Sequence, residues 1–218
     1  MTKISERGMI FNAEMVRALL DGRKTQTRRI IKDCTVGRDP ISKFIKIGKK
    51  FIGCYPEDVP ELIRECCPYG VPGDRIWVRE TWAEAGASAP DLKLYRANYP
   101  EHVPSIYENV PPAEEIRWTP SIHMPRTASR ILLEITDVRV ERLNAISEED
   151  AEAEGIDMEA LYDSQDCYDC IADHNMTGRP TVTGAFKYLW ESIYGEEGWK
   201  SNPWVWVIEF KRFEGGAA

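Results

Sequence analysis

The chain has 218 residues, 43% of them hydrophobic and seven of them tryptophan, which is enough for one domain with a substantial core. Its formal net charge of −8 argues against a protein that coats nucleic acid through bulk electrostatic attraction. No apolar run reaches membrane-spanning length and the first residues show no signal-peptide pattern, so we expect a cytoplasmic protein with no membrane partner.

Taken in chain order, the hydrophobic patterns predict five strands, at 8–11, 25–31, 75–82, 130–143 and 204–213. They predict three helices, at 13–21, 148–154 and 185–194, and we interpret the apolar stripe of the last helix as core. Three insertions lie between these elements, at about 32–67, 83–127 and 157–183. The tail at 214–218 has nothing to pack against and should be flexible.

The corner that follows the first predicted helix is the most informative segment. Gly22 occupies the position at which a left-handed residue ends a helix. Residues 22–29 then bring four cations and two hydroxyls together, while residues 17–50 as a whole are basic and residues 134–166 are acidic. A local basic region on a protein of net negative charge fits a ligand with one or a few phosphates. The alternative is a solvated basic edge strand, which charge alone would favour.

Lys24 and Thr27 are the candidate catalytic pair of this corner. Residues three apart face opposite sides of a regular strand, so they can converge only if Lys24 still belongs to the turn after Gly22. Neighbouring cations should lower the pKa of Lys24, and a neutral amine could then take the proton from the Thr27 hydroxyl. Alternatively, Lys24 binds phosphate and Thr27 only forms hydrogen bonds within the sheet.

Glu154 is the candidate acidic residue. Ser147 and Asp150 should form a capping box at the start of the 148–154 helix, where the helix dipole also favours the other carboxylates of the first turn. Glu154 lies in the last turn, directly before Gly155, where the dipole disfavours a carboxylate. This placement points to a function for Glu154, although a solvated glutamate on a short helix is the alternative.

Four blocks of the sequence resemble the ASCH family, whose members are small β-barrel domains related to the PUA RNA-binding fold. The blocks are the G-x-K-T-x-T-x-R run at 22–29, the Pro-Gly-Asp turn and strand at 69–80, the acidic helix at 147–156 and the closing strand at 202–210. The longer layout is most similar to ASCH proteins of tailed phages and prophages. The resemblance implies an α+β fold over residues 1–213, a PUA-like β-barrel with flanking helices and large loop insertions.

One bacterial branch of the ASCH family hydrolyses the amide of N4-acetylcytidine. The resemblance places its catalytic residues on Lys24, Thr27 and Glu154, with Thr27 attacking, Lys24 acting as base, and Glu154 moving the proton or orienting Lys24. It therefore implies an RNA-binding or nucleoside-binding protein with amidohydrolase activity. The alternatives are a non-catalytic reader of single-stranded RNA or modified bases, and a metal-independent ribonuclease.

Further candidate ligand-binding residues lie in the basic corner, on the predicted strand at 75–82 and on a proline-bounded loop at 118–126. We expect the loop to form the rim of the pocket. They are Arg23, Arg28, Arg29, Trp82, Trp118, His123 and Arg126. A core position for Trp82 and an incidental position for His123 are the alternatives.

The six cysteines should be thiols in a cytoplasmic protein. Cys167, Cys170 and His174 raise the question of zinc, but a fourth ligand and a second knuckle are missing. Phosphate-loop, dinucleotide, serine-hydrolase and zinc-protease motifs are also absent. We therefore predict neither a metal nor a cofactor.

Overall fold

The structure is a computed structural model that describes residues 4–32, 34–36, 44–47, 50–53, 59–86, 89–163 and 181–213. Its strands are β1 (Glu6–Ile10), β2 (Gln26–Ile30), β3 (Cys34–Val36), β4 (Phe44–Ile47), β5 (Lys50–Gly53), β6 (Arg75–Arg79), β7 (Trp82–Glu84), β8 (Lys93–Tyr95), β9 (Leu132–Arg142) and β10 (Trp204–Arg212). Its α-helices are α1 (Ala13–Leu20), α2 (Val59–Cys66), α3 (Glu148–Ala153), α4 (Met158–Asp163), α5 (Val182–Tyr194) and α6 (Glu196–Lys200). The fold class is α+β, as predicted.

The five strands predicted from the sequence form one mixed sheet. Its order is β1-β6-β9-β10-β2, with β1 parallel to β6 and the other neighbours antiparallel. The segment predicted as one strand at 75–82 is divided, because β6 ends at Arg79 and Trp82 begins β7, which pairs with β8. The smaller sheets β3-β4-β5 and β7-β8 lie within the first two insertions.

Two hydrophobic clusters pack on opposite faces of the central sheet. Along β10, Trp206 and Ile208 belong to the cluster that also contains Met15 of α1. Val205 and Val207 belong to the second cluster, together with Phe186 of α5. Alternate residues of a strand point to opposite faces, so β10 is buried on both sides between helices. The strand that follows the basic corner, β2, lies between the same two clusters, because its Thr27 is opposite Ile208 and its Arg28 is opposite Val207.

Caps fix the helix ends that border this corner. The Asn12 side chain accepts a hydrogen bond from the Met15 amide at the start of α1, and Gly22 after its end has φ +78°. Helix α5 begins at Val182 and not at 185, because the Thr181 hydroxyl caps its first turn. Ser147 caps α3 through the Asp150 amide, and Glu154 is the residue at its C-terminal cap.

The insertions contain regular structure that the sequence patterns did not indicate, namely β3, β4, β5, α2, β8 and α4. Most of the third insertion and the tail at 214–218 lie outside the described residues. Within the described ranges, every helix is too short or too polar to cross a bilayer.

Candidate functional site

Lys24 and Glu154 form a buried ion pair, although 130 residues separate them in the sequence. The two residues are joined by an isolated antiparallel bridge, and the Thr25 amide donates to the Ala153 carbonyl at 2.9 Å. The Lys24 Nζ donates to Glu154 Oε2 at 2.8 Å and to the Glu154 carbonyl at 2.7 Å. Their side chains are 0% and 2% exposed. Lys24 precedes β2, so it lies in the connection after Gly22. This is the position that the sequence spacing requires if Lys24 and Thr27 are to approach each other.

Arg28 joins this pair to the sheet and to α3. Its Nη1 donates to Glu154 Oε1 at 3.3 Å, and its Nη2 donates to Asp150 at 2.8 Å and to Glu141 at 3.2 Å. The side chain is fully buried and its guanidinium lies 5.9 Å from the centre of the Phe186 ring. Arg28 is therefore surrounded by carboxylates of the chain itself.

Arg139 forms further ion pairs next to those of Arg28, and the sequence did not indicate them. Arg139 pairs with Asp150 at 2.7 Å, with Glu141 at 2.6 Å, and with Glu209. Partial burial alone would raise the pKa of Asp150, but Arg28 and Arg139 outweigh it and hold that pKa below its usual range. Strands β2, β9 and β10 and helix α3 are thus held together by one continuous ionic network.

Burial lowers the pKa of Lys24, which makes its amine easier to deprotonate than that of an ordinary lysine. Glu154 opposes this effect through its charge and its hydrogen bond, whereas Arg29 and Arg28 add to it. Neighbouring cations were the only cause of a lowered pKa that the sequence indicated. In the structure, burial is the larger cause.

Thr27 lies on the opposite side of β2 from Arg28. In the antiparallel pairing with β10, Thr27 is opposite Ile208 and Arg28 is opposite Val207, and these two belong to different core clusters. Thr27 is fully buried, and its Oγ1 has no hydrogen-bond partner among the described residues. The structure therefore brings Lys24 and Glu154 together but does not bring Thr27 into hydrogen-bond contact with either of them.

Three cavities are lined by residues of both α1 and α5, and Met15 lines all of them. The first, of about 420 Å³, is lined by Gly8, Met9, Ile10, Asn12, Met15, Arg29, Tyr69, Arg79, Ile193 and Tyr194. The second, of about 500 Å³, is lined by Glu14, Met15, Arg17, Arg23, Glu154, Gly155, Ile156, Asp157, Tyr188, Leu189 and Ser192. The third, of about 10 Å³, shares Arg29 with the first and Glu154 with the second. We call these the arginine cavity, the acidic cavity and the connecting cavity.

Two of the remaining predicted ligand-binding residues lie on these cavities. Arg29 lines the arginine cavity and the connecting cavity. Arg23 lines the acidic cavity, where it donates to the Gly155 carbonyl at 2.9 Å and pairs with Asp21 at 3.0 Å.

The residues lining the three cavities do not include Trp82, Trp118, His123 or Arg126. The 118–126 segment is attached to β7 by the bridge between Trp82 and Thr119, and Trp82 is buried in a small separate cluster with Tyr95. His123 lies in a short 3₁₀ helix, and Arg126 pairs with Glu6 at 3.0 Å. The Trp118 indole donates to the Ala113 carbonyl.

Over the part of the chain that the structure describes, no group of three or more His, Cys, Asp or Glu side chains is arranged to hold a metal ion. Cys167, Cys170 and His174 lie outside that part.

The arrangement offers a buried amine of lowered pKa, a carboxylate that orients it, a hydroxyl three residues away without a hydrogen-bond partner among the described residues, and a cavity lined by the carboxylate residue. These are the groups that acyl transfer needs, although the hydroxyl and the amine are not in contact. Comparisons of the chain with models of protein families, with curated proteins and with solved structures give no match.

Proposed function

We propose that the protein is an ASCH-type amidohydrolase that acts on an N-acylated base or nucleoside such as N4-acetylcytidine. The observation that carries the proposal is the buried ion pair of Lys24 and Glu154, whose glutamate lines a ligand-sized cavity. Burying two charges is costly unless they are paired, and burial lowers the pKa of Lys24, which makes it a better candidate for a base than an exposed lysine.

In the proposed reaction, the Thr27 Oγ1 attacks the acyl carbon while Lys24 takes the hydroxyl proton. Collapse of the tetrahedral intermediate breaks the carbon–nitrogen bond, and Lys24 returns the proton to the departing amine. Water then cleaves the acyl ester on Thr27 and releases the carboxylic acid. Glu154 is a positioning residue here, because it acts through Lys24. Thr27 is 0% exposed, so the reaction requires its cover to open when the ligand enters.

The second candidate is a reader that binds a modified base or single-stranded RNA without chemistry. It is favoured by the pairing of β2 with β10, which turns Thr27 away from the face that carries Arg28. A reader needs the cavities and their charged walls, but it does not need contact between a nucleophile and a base.

We infer in addition that the central sheet belongs to a PUA-like barrel. Its edge strands β1 and β2 approach each other closely enough for the Arg29 Nη2 to donate to the Ile10 carbonyl at 3.0 Å. A side chain thus spans the seam that would close such a barrel. For location, we propose the cytoplasm, because Cys67 is a buried cysteine outside any disulfide, as a reducing compartment favours.

The test is incubation with N4-acetylcytidine and chromatographic measurement of cytidine release. We expect release by the wild-type protein and its loss in Thr27→Val, while Thr25→Val, which alters an exposed residue two positions away, keeps full activity. Binding of N4-acetylcytidine without any cytidine release would favour the reader. Release by Thr27→Val at the wild-type rate would contradict the proposed nucleophile.

A further inference from the structure

The arginine cavity has two positive charges and no carboxylate among its lining residues. Four other arginines of the central sheet pair with carboxylates, namely Arg7, Arg28, Arg75 and Arg139. Arg29 and Arg79, in contrast, form no ion pair with a carboxylate of the described residues. A charge that the protein leaves uncompensated on the wall of a cavity is available to a ligand of opposite charge.

Both guanidinium groups are held in place by neutral groups. Arg29 donates to the carbonyls of Arg28 and Ile10 and lies 5.3 Å from the centre of the Phe11 ring. Arg79 donates to the Ile122 carbonyl and lies 5.3 Å from the centre of the Trp77 ring. Its buried Nε has no hydrogen-bond partner in the described part of the chain. The arginines are therefore fixed in position, and no carboxylate of the described residues neutralises their charges.

The other walls of the arginine cavity suit a planar ring. Tyr69 and Tyr194 line it together with Met9 and Met15, and aromatic faces of this kind stack on bases of any sequence. Burial raises the pKa of Tyr69, although Arg29 opposes the shift, so the phenol stays protonated and able to donate a hydrogen bond at neutral pH. A volume of about 420 Å³ is within the range of small-molecule sites.

We propose that the arginine cavity binds the phosphate of a nucleotide, so that the ligand of this protein is a phosphate-bearing nucleotide and not a free nucleoside. Arg29 and Arg79 contact the phosphate oxygens, and the tyrosines contact the base or ribose. The inference rests on the proposed function for the nucleoside part of the ligand. The same phosphate chemistry is present in a free mononucleotide and at the end of an RNA strand.

Isothermal titration calorimetry of the full chain with cytidine 5′-monophosphate, cytidine and inorganic phosphate tests this proposal. We expect the monophosphate to bind at least about tenfold more tightly than cytidine, because two arginines add charge-assisted hydrogen bonds. It should also bind more tightly than inorganic phosphate. Equal affinity for the monophosphate and cytidine, or for the monophosphate and inorganic phosphate, would overturn the proposal.

Arg29→Gln and Arg79→Gln should each weaken binding of the monophosphate about tenfold and leave that of cytidine unchanged. The matched control is Arg117→Gln, which alters an exposed arginine that does not line the cavity. Because Arg29 spans β1 and β2, circular dichroism must show that its variant is folded. If it is not, the salt dependence of the wild type decides: added salt should weaken binding of the monophosphate and spare that of cytidine. Equal salt dependence would contradict the site.

A 5′-phosphorylated oligoribonucleotide distinguishes the two sources of the phosphate. Tighter binding of the oligonucleotide identifies an RNA end as the ligand, and equal binding identifies the mononucleotide; either result supports the arginine site.

None of these probes carries an acyl group, so their binding is independent of amide hydrolysis. Monophosphate binding without hydrolysis of N4-acetylcytidine would remove the proposed reaction and keep the phosphate site. Hydrolysis without preferential binding of the monophosphate would remove the phosphate site and keep the proposed reaction.

Discussion

Removing the carboxylate of Glu154 should leave Lys24 as a buried cation without its partner. The variant Glu154→Gln keeps the size of the side chain but removes the charge that pairs with Lys24 at 2.8 Å and with Arg28 at 3.3 Å. Breaking a buried ion pair from one side costs about 3–5 kcal/mol. Arg28 keeps Asp150 and Glu141, so the larger share of the loss falls on Lys24.

The free-energy cost of leaving Lys24 without Glu154 has an upper limit, because the amine can lose its proton instead of remaining charged. Neutralising a lysine costs about 1.36 kcal/mol for each pH unit below its ordinary pKa of about 10.4. The cost is therefore about 4.6 kcal/mol at pH 7 and about 1.9 kcal/mol at pH 9. Without Glu154 the pKa of Lys24 in the folded state falls further below its unfolded value. The unfolded chain then binds more protons than the folded one, so the stability of the variant should rise with pH in this window.

Urea denaturation of the wild type and Glu154→Gln at pH 7 and pH 9 measures this effect. We expect the variant to lose about 3–4.6 kcal/mol at pH 7 and clearly less at pH 9. The exposed Glu152 of the same helix provides the control, since Glu152→Gln should change stability by no more than about 0.5 kcal/mol. A loss below about 1 kcal/mol, as for a surface pair, or an equal loss at both pH values would refute the reasoning.

Three further predictions follow from single contacts. Thr27→Val should leave stability unchanged or raise it by about 1 kcal/mol, because it removes a buried hydroxyl that has no partner among the described residues; a loss in thermal denaturation would contradict this. Gly155→Ala should cost more than Gly73→Ala in the same assay, since both glycines have φ +93° but only at Gly155 would a Cβ approach Ala18 and Lys24, at 2.8 and 2.9 Å. Asp150→Asn should flatten the loss of stability on acidification: the folded-state pKa of Asp150 is lowered, so its contribution is lost as pH falls through that pKa. An unchanged profile in acid denaturation would argue against this role.

Local patterns were sufficient for the central sheet. Alternation along 204–213 and 130–143 and the cap at Gly22 lie within single segments, so the five strands and the three helices that carry the site could be predicted from neighbouring residues. The insertions could not be predicted in this way. Their strands are three or four residues long, too short for a period to be distinguished from chance.

The ionic network shows where local reasoning fails. Sequence spacing assigned Asp150 to a capping box with Ser147, and the Ser147 hydroxyl does accept from the Asp150 amide. The Asp150 carboxylate is directed to Arg28 and Arg139 instead, and those contacts depend on how β2, β9 and β10 are aligned. Register between distant strands leaves no trace in the spacing of residues along one segment.

The ionic contacts of α3 also determine how easily this helix can unfold locally. A helix of six residues has too few internal hydrogen bonds to persist alone, yet Asp150 anchors it to two strands and Glu154 to the connection before β2. Opening α3 would separate these charges in a single step, so the helix cannot fray independently of the sheet. Its amide protons should exchange with solvent as slowly as those of β2 and β10, as part of one cooperative unit, unlike the amides of a surface helix of equal length.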